Sequence, residues 1–453
     1  MQAAFDHQTV TSQFIIKNNR VLVTSDPGTG KTRSVIDAYA SRKEGRMLVV
    51  APLSILGASW GDDIEKFAPH LTYTIAYAKN REKAFASDAD IIITNWDAVK
   101  WLDKNKKLLK GFDTLCIDEF TAFKNKTTQR SKAMLRLAKS FEYRIAMSGT
   151  PNSNTILDIW HPTLLVDDGE SLGVNFYKFR HAVTTCVNNG FGNQWIDKPD
   201  AEATVGQLIK NINIRYTLED CIDMPPQTVR QMSVVLPNKI LNQYKLLAAD
   251  SVLYTSTGTI NAVNAGAKVK KLLQLCTGAV YDEHGETKGI HSERYDLVMQ
   301  LVDERKHSLV AFNWKHERDH MVELATKMKI KHAVIDGSTP AAKRKDIVDR
   351  MQAGQLKVVF CHPQSAGHGL TMTTATTIIW ASPTYNAEHY AQFNRRIYRA
   401  GQTLKTEIIQ IAAKDTWEED VFVKLENKLS KMEELLSILK IQKSGETNEQ
   451  QSK

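Results

Sequence analysis

No run of apolar residues in this chain approaches the roughly 18–20 needed to cross a membrane, although hydrophobic residues make up 42% of its 453 positions. The N-terminal stretch MQAAFDHQTVTSQ has no basic segment leading into an apolar core, so no secretion signal is expected. Cysteine is scarce. Cys116, Cys186, Cys221, Cys276 and Cys361 form no C-x-x-C pair, and three of them sit inside apolar runs. That argues against a zinc site or a disulfide framework and for a reducing compartment. There is no strong internal repeat, and neither sign of charge is extreme. Lysine plus arginine number 59 against 51 aspartate plus glutamate, a net charge of +8, which favours a polyanionic partner and is also a common solubility feature. A length of 453 residues is enough for about two to three domains.

What the chain does have, at residues 25–32, is the octet SDPGTGKT, directly after the apolar run RVLVT and directly before RSVIDAYAS, which has the period of an amphipathic helix. Gly28 and Gly30 can take backbone angles closed to other residues, so successive N–H groups can point at an anion, and the following helix offers its positive end. Lys31 then supplies a point charge for the β and γ phosphates, and Thr32 a hydroxyl for magnesium. Ser25 stands where such loops usually begin with glycine. Taken alone, the octet also fits a Gly-rich turn that caps a helix.

Short runs rich in Val, Ile and Leu alternate with helical periods through the first 150 residues: RVLVTS, MLVVAP, TYTIAYA, DIIITN, TLCIDE and YRIAMSG. Most lack polar alternation, as expected of parallel strands covered on both faces. They predict a three-layer α/β lobe over 1–160 that binds nucleotide at the carboxyl ends of its strands. From 161 to 290, stretches such as NKILNQYKLLAADSVLY and AGAKVKKLLQLCTGAV predict a mainly helical insert. Adjacent prolines in DMPPQT, 223–228, place a hinge there. LVAFNW, HAVIDG, KVVFCHP, TTIIWAS and EIIQIAA predict a second α/β lobe over 291–415, followed by a helix over 416–440 and a polar, disordered tail over 441–453. The fold class expected is α/β, with two parallel-sheet lobes in tandem and a mainly helical insert.

Asp118 and Glu119 stand at the tip of TLCIDE. An acidic pair beside a phosphate loop divides its labour: Asp118 holds magnesium, directly or through water, and Glu119 orients and deprotonates the attacking water. An exposed acidic turn is the bland alternative. In SGTPNSN, Ser148 and Thr150 are hydroxyl donors able to bond Glu119 or nucleic acid, although a plain turn would look the same. QFNRRIYRAGQ, 392–402, carries Arg396 and Arg399 at a spacing that puts both on one face of a helix, within reach of a γ-phosphate. A solvated basic face fits that pattern too. Candidate nucleic-acid contacts are the strand-end residues Ser54, Thr94, Asn95, Ser338, Thr339, Gln364 and Ser365, whose hydroxyl, amide and N–H groups suit phosphates or ordinary turns. KNKKLLK, 104–110, and KNKTTQRSK, 124–132, can add non-specific attraction or be solvated faces.

In order and spacing these segments resemble the Swi/Snf-type DNA-dependent ATPases of helicase superfamily 2, over residues 5–430. DHQ with Gln8 is similar to the adenine-reading glutamine motif. SDPGTGKT resembles motif I, VVAPLSILGASW motif Ia, IIITNWDAV motif Ib, IDEFTAFKN motif II and MSGTPNSN motif III. SLVAFNWKHERDHM resembles motif IV, SAGHGLTMTTATTIIWASPTYN motif V and QFNRRIYRAGQ motif VI. The resemblance implies two RecA-like lobes with ATP and Mg2+ as cofactors. It implies nucleotide binding by Gln8, Asp26, Gly28, Thr29, Gly30, Lys31, Thr32, Asp118 and Gly369, with Thr32 and Asp118 on the metal. Glu119, Arg396, Arg399 and Lys31 would be catalytic, and Ser148, Thr150 and Gln392 would couple the site to nucleic acid. The implied partner is double-stranded DNA and the implied activity ATP-driven translocation, in remodelling, replication-fork or recombination transactions. A strand-separating DNA or RNA helicase and an ATP-gated DNA clamp with little turnover are the other readings. The acidic box departs from the family, with Phe120 and Thr121 where alanine and histidine are usual. Ser382 and Tyr385 stand where aspartate and tryptophan are common. Activity is expected to survive, because the magnesium ligand, the base and both arginines are present. The compact core looks like bacterial and phage forms, which implies the cytoplasm, or the nucleus in a eukaryote.

Overall fold

The computed structural model describes residues 3–152, 154–188, 193–256, 271–281, 287–366 and 370–438. Two compact units share the chain. The first comprises Met1–Val187, Trp195–Asp223 and Ser430–Lys453, and the second Asn188–Gln194 and Met224–Leu429.

The six expected strands of the first unit are present as β1 (Arg20–Val23), β2 (Arg46–Ala51), β3 (Tyr73–Ala76), β4 (Ile91–Asn95), β5 (Phe112–Asp118) and β6 (Tyr143–Met147). The chain then forms a hairpin, β7 (Thr184–Asn188) with β8 (Asn193–Asp197), and the two-residue strand β9 (Asn213–Ile214). Seven strands make one sheet in the order β3-β4-β2-β5-β6-β1-β9, and every pairing in it is parallel. Side chains alternate across this sheet, which is why its strands read as unbroken apolar runs. Val21, Met47, Val49, Ile91, Ile93 and Ile145 enter one core, while Leu22, Leu48, Val50, Ile92, Ile117 and Ala146 enter another on the opposite face. Burial of each Leu, Ile or Val contributes about 1.5–3 kcal/mol, so both faces must be covered. Helices α1 (Asp6–Lys17) and α2 (Lys31–Arg42) belong to the first of these faces, through buried Ile15, Val35, Ile36 and Tyr39.

The second unit repeats the plan with β10 (Gln227–Val234), β13 (Ser308–Ala311), β14 (His332–Ile335), β15 (Val358–Cys361), β16 (Thr377–Trp380) and β17 (Thr406–Ala413). Their order is β10-β17-β16-β13-β15-β14, again parallel throughout. A separate hairpin joins β11 (Ala279–Tyr281) to β12 (Thr287–Gly289). Behind the sheet Arg294 is fully buried. Its guanidinium meets the Glu418 carboxylate and donates to the carbonyls of Ala381 at 2.6 Å, Cys276 at 3.1 Å and Ile411 at 3.2 Å. Glu317 is also fully buried. Its Oε2 accepts from the Asn313 and Trp314 amides at 2.8 and 3.0 Å and from Ser382 Oγ at 3.0 Å, while its Oε1 has no partner. Burial pushes its carboxyl up to about 7.

The expected helical insert over 161–290 is not one body. Residues 195–223 belong to the first unit and those from Met224 to the second. The reason lies in the sheet edges. β1 would expose an unpaired row of backbone groups, and β9 covers it, with Thr24 N–H donating to Ile214 O at 3.0 Å. β10 covers β17 over eight paired residues. The helix NKILNQY is found, within Asn238–Ser256. The expected terminal helix runs from Trp417 to Ile438, and the tail 441–453 lies outside the described residues. No helix among the described residues is long and apolar enough to cross a membrane.

Candidate functional site

In a parallel sheet all carboxyl ends lie on one edge, and the first unit collects its candidate residues there. The octet 25–32 joins β1 to α2. Gly28 and Gly30 have φ of 93° and 83°. The positive φ favours glycine at position 30, and a Cβ there would lie 2.2 Å from Gln8 Nε2, so the glutamine side chain would have to move. Gln8 is buried against this loop: its Oε1 accepts from Phe5 N–H and its Nε2 donates to Thr29 O, both at 3.2 Å. His7 Nε2 lies 2.8 Å from the same carbonyl. Lys31 Nζ donates to the carbonyls of Ser25 at 2.9 Å and Asp26 at 3.1 Å. Burial depresses the lysine's pKa, and the carboxylates of Glu119, Asp118 and Asp26 oppose that shift.

Two residues expected to bind nucleotide turn their side chains elsewhere. Asp26 Oδ1 accepts from Arg215 Nη2 at 2.8 Å and its Oδ2 from Leu218 N–H at 3.3 Å. Even its own N–H is donated to Tyr216 O, at 3.0 Å. Thr29 Oγ1 donates to Asp26 O at 2.8 Å. Both side chains hold the loop in shape, because a tight turn leaves backbone groups that need nearby partners. Arg215 and Tyr216 were missed in the sequence. Arg215 also donates to Thr24 O, and Tyr216 N–H donates to Ser25 Oγ at 3.1 Å. The one signal was the alternation Ile212, Ile214, Tyr216 around a lone arginine.

The acidic pair follows β5. Asp118 is buried, and its Oδ2 accepts from Trp60 Nε1 at 2.9 Å, while its carbonyl accepts from Trp96 Nε1 at 3.1 Å. Burial raises the Asp118 pKa, opposed by the Trp60 hydrogen bond and the Lys31 charge. Glu119 has φ 51° and ψ 64°, a left-handed conformation that costs a non-glycine residue about 1–3 kcal/mol and clusters at functional sites. Ser148 Oγ donates to Glu119 Oε2 at 3.0 Å and accepts from Thr150 N–H at 3.1 Å. A Cβ on Gly149 would sit 2.7 Å from Pro27 Cδ, so this turn lies directly against the phosphate loop. The unusual Phe120 is wholly buried in the core, and Thr121 is also buried. Thr32 is half-buried at the start of α2. The Asp118 carboxylate and the Thr32 hydroxyl are hard oxygen donors, the type that suits magnesium bound largely through substrate phosphates.

Of the expected nucleic-acid contacts in this unit, Thr94 is excluded. It is fully buried and its hydroxyl donates to Ala76 O at 2.9 Å, because β4 is covered on both faces. Ser54 and Asn95 remain half-exposed.

In the second unit the helix before the arginines, Ala387–Asn394, ends short of them, so they do not share a helical face as expected. The Arg395 amide still donates to Ala391 O as in a helix, and the Arg396 amide tightens the last turn by donating to Phe393 O, three residues back. The two guanidinium groups still converge, each donating to Leu370 O, at 2.9 Å from Arg396 and 3.2 Å from Arg399. Gln392 is buried; its Nε2 donates to Glu388 Oε1 at 3.3 Å and its carbonyl accepts from Arg396 Nε at 3.0 Å. Gly369 lies outside the described residues. Ser338 and Thr339 both bond Asp336, whose carboxyl the Ser338 and Arg318 hydrogen bonds hold down at about 2 against the opposing effect of burial. Arg344 ties this loop to the next, donating to Thr339 O at 3.0 Å and Ser365 O at 3.2 Å. Gln364 beside it is exposed.

Residues 7–278 match the SNF2-related domain, and residues 293–401 match the helicase conserved C-terminal domain. Protein p41 of Acyrthosiphon pisum secondary endosymbiont phage 1 is 27% identical over 96% of this chain and 98% of its own length. YwqA of Bacillus subtilis, whose name describes an ATP-dependent helicase/translocase, is 24% identical over 90% of the chain. A Xenopus tropicalis SWI/SNF-related matrix-associated actin-dependent regulator of chromatin, subfamily A-like protein 1, is 25% identical over 92%. The chain spans only 45% and 43% of the length of those last two. A solved structure of the Sulfolobus solfataricus SWI2/SNF2 ATPase core in complex with dsDNA covers 96% of the chain and is itself covered over 93%, at 22% identity and a TM-score of 0.45.

Proposed function

Because the chain belongs to the SNF2-related family of helicase superfamily 2, we propose that it is an ATP-dependent translocase on double-stranded DNA, hydrolysing ATP to ADP and phosphate. The observation that carries the hydrolytic part is the gathering of Lys31, Asp118, Glu119 and Ser148 on one sheet edge, with Glu119 in a strained backbone conformation. In this reading the loop amides and Lys31 bind the β and γ phosphates, and Thr32 and Asp118 hold Mg2+. Bound magnesium neutralises charge on the phosphates. Glu119 takes a proton from the attacking water, with Ser148 holding the carboxylate by its second oxygen. Arg396 and Arg399 supply positive charge for the transferring phosphoryl group, a contribution of roughly 10³–10⁵ in turnover where an arginine plays this part.

The double-stranded substrate is argued from family membership and from the name of the Xenopus relative as a chromatin regulator. Steady-state ATP hydrolysis without nucleic acid and with blunt duplex, single-stranded DNA or RNA tests it, with Glu119→Gln as control. Stimulation by blunt duplex that is lost in Glu119→Gln is the expected result. Stimulation by single strands or RNA alone would replace the translocase with a strand-separating helicase, and absence of turnover would leave a DNA clamp.

A further inference from the structure

The loop after the acidic pair and the helix Phe176–Val183 build a cluster that the hydrolytic chemistry does not use. Lys126 Nζ lies 4.5 Å from the centre of the Phe176 ring and 4.4 Å from that of Tyr177. One turn further along the helix, the Arg180 guanidinium lies 3.7 Å over Trp195 of β8 and 5.3 Å from Tyr177. His181 meets the same Trp195 edge-on at 4.8 Å. None of Lys126, Lys178 and Arg180 forms an ion pair with a carboxylate among the described residues. Tyr177 is 58% exposed, and Lys178 beside it is exposed. All seven residues belong to the first unit.

An unpaired surface lysine is ordinarily a mobile, solvated charge. Here two of the three cations rest on aromatic faces, which narrows their freedom before any partner arrives, so less ordering cost remains to be met on binding an anion. Tyrosine has few rotatable bonds and a flat face, and it meets the bases of an unpaired strand at low entropic cost. Alternating cation and ring is the pattern of a single strand's alternating phosphate and base. A duplex offers its phosphates equally but keeps its base faces stacked on one another. We propose that Lys126, Phe176, Tyr177, Lys178, Arg180 and Trp195 form a binding surface for a single-stranded segment of nucleic acid, with Tyr177 stacking on a base and the three cations on the backbone. The inference rests on the nucleic-acid reading above and adds to it a second contact surface with its own ligand chemistry.

The test is fluorescence anisotropy of the whole chain with labelled oligothymidine, a blunt duplex and the same duplex carrying a single-stranded tail. Tyr177→Ala should weaken oligothymidine and the tailed duplex by about 5- to 150-fold, the range of one lost base stack. Tyr177→Phe, which keeps the ring, should stay within about twofold of the parent. Lys178→Glu should weaken the same two ligands, and Tyr177→Ala should leave binding of the blunt duplex within about twofold of the parent. Duplex-stimulated ATP hydrolysis, measured in parallel, should be unchanged in all three. Equal losses on blunt and tailed duplex would overturn the proposal in favour of a backbone-only duplex surface. Parent-like binding of all three ligands by Tyr177→Ala and Lys178→Glu would overturn it in favour of a protein-binding face. A chain that lacks duplex-stimulated hydrolysis yet loses oligothymidine binding in Tyr177→Ala would sink the translocase reading and leave this surface standing.

Discussion

Replacing Arg215 by glutamine should damage both the first unit's stability and its handling of ATP. The Arg215 and Asp26 side chains are each 6% exposed, and they meet at 2.8 Å. Removing one member of such a buried pair leaves the other's charge without compensation and costs about 3–5 kcal/mol. That is a large part of a typical domain stability of about 5–15 kcal/mol. The loss reaches the phosphate loop through short steps. Arg215 also holds Thr24 O, and its neighbour Tyr216 bonds both Ser25 Oγ and Asp26 N–H. The carbonyls of Ser25 and Asp26 in turn hold Lys31 Nζ at 2.9 and 3.1 Å. A displacement of about 1 Å at a positioned group costs on the order of 10²-fold in rate, so kcat/KM for ATP should fall by about 10- to 100-fold. The assay pairs that ratio with a urea melt of Arg215→Gln, Asp26→Asn and the double variant. Removing both charges eliminates the uncompensated one, so the double variant should be less destabilised than the sum of the singles. An Arg215→Gln protein with parent-like kcat/KM and melting midpoint, or a double variant as unstable as that sum, would refute the reasoning.

Three further outcomes follow from other parts of the structure. Glu317 titrates at about 7 in the folded chain against an ordinary 4.5, so the native state holds a proton that the unfolded chain releases. Its contribution is complete below about 4.5 and is lost as pH rises through about 7, a difference of about 3 kcal/mol. Glu317→Gln, which cannot titrate, should therefore gain stability relative to the parent between pH 5 and pH 8, as read by urea melts at the two values. Trp60→Phe removes a hydrogen bond that lowers the Asp118 pKa; the acid limb of the ATPase pH profile should move to higher pH, and an unmoved limb would detach Trp60 from the site. Gly30→Ala would force a Cβ to 2.2 Å from Gln8 Nε2 at a φ of 83°. Nucleotide affinity measured by calorimetry should then fall by at least about tenfold, the equivalent of 1.4 kcal/mol.

The strands β1 to β6 and the octet 25–32 were legible in the sequence because their causes are local. A run such as MLVVAP is apolar on both faces of one strand, and Gly28, Gly30, Lys31 and Thr32 act within a single turn. The acidic pair at 118–119 was legible for the same reason. What the tertiary structure alone decided is how distant segments answer each other's unpaired groups. Asp26 looked like a nucleotide contact until Arg215, 189 residues away, took its carboxylate. β9 is two residues long, too short for any periodicity, and exists because the edge of β1 needs a partner. Thr94 differs from an exposed loop threonine only in that Ala76 O lies beside it on the neighbouring strand. Arg396 and Arg399 were brought together by the Leu370 carbonyl and not by the helix their spacing suggested. Periodicity and turn chemistry are properties of neighbouring residues and can be read along the chain. Hydrogen-bond satisfaction in a buried site is a property of whatever the fold brings there, so it is settled only when the chain has folded.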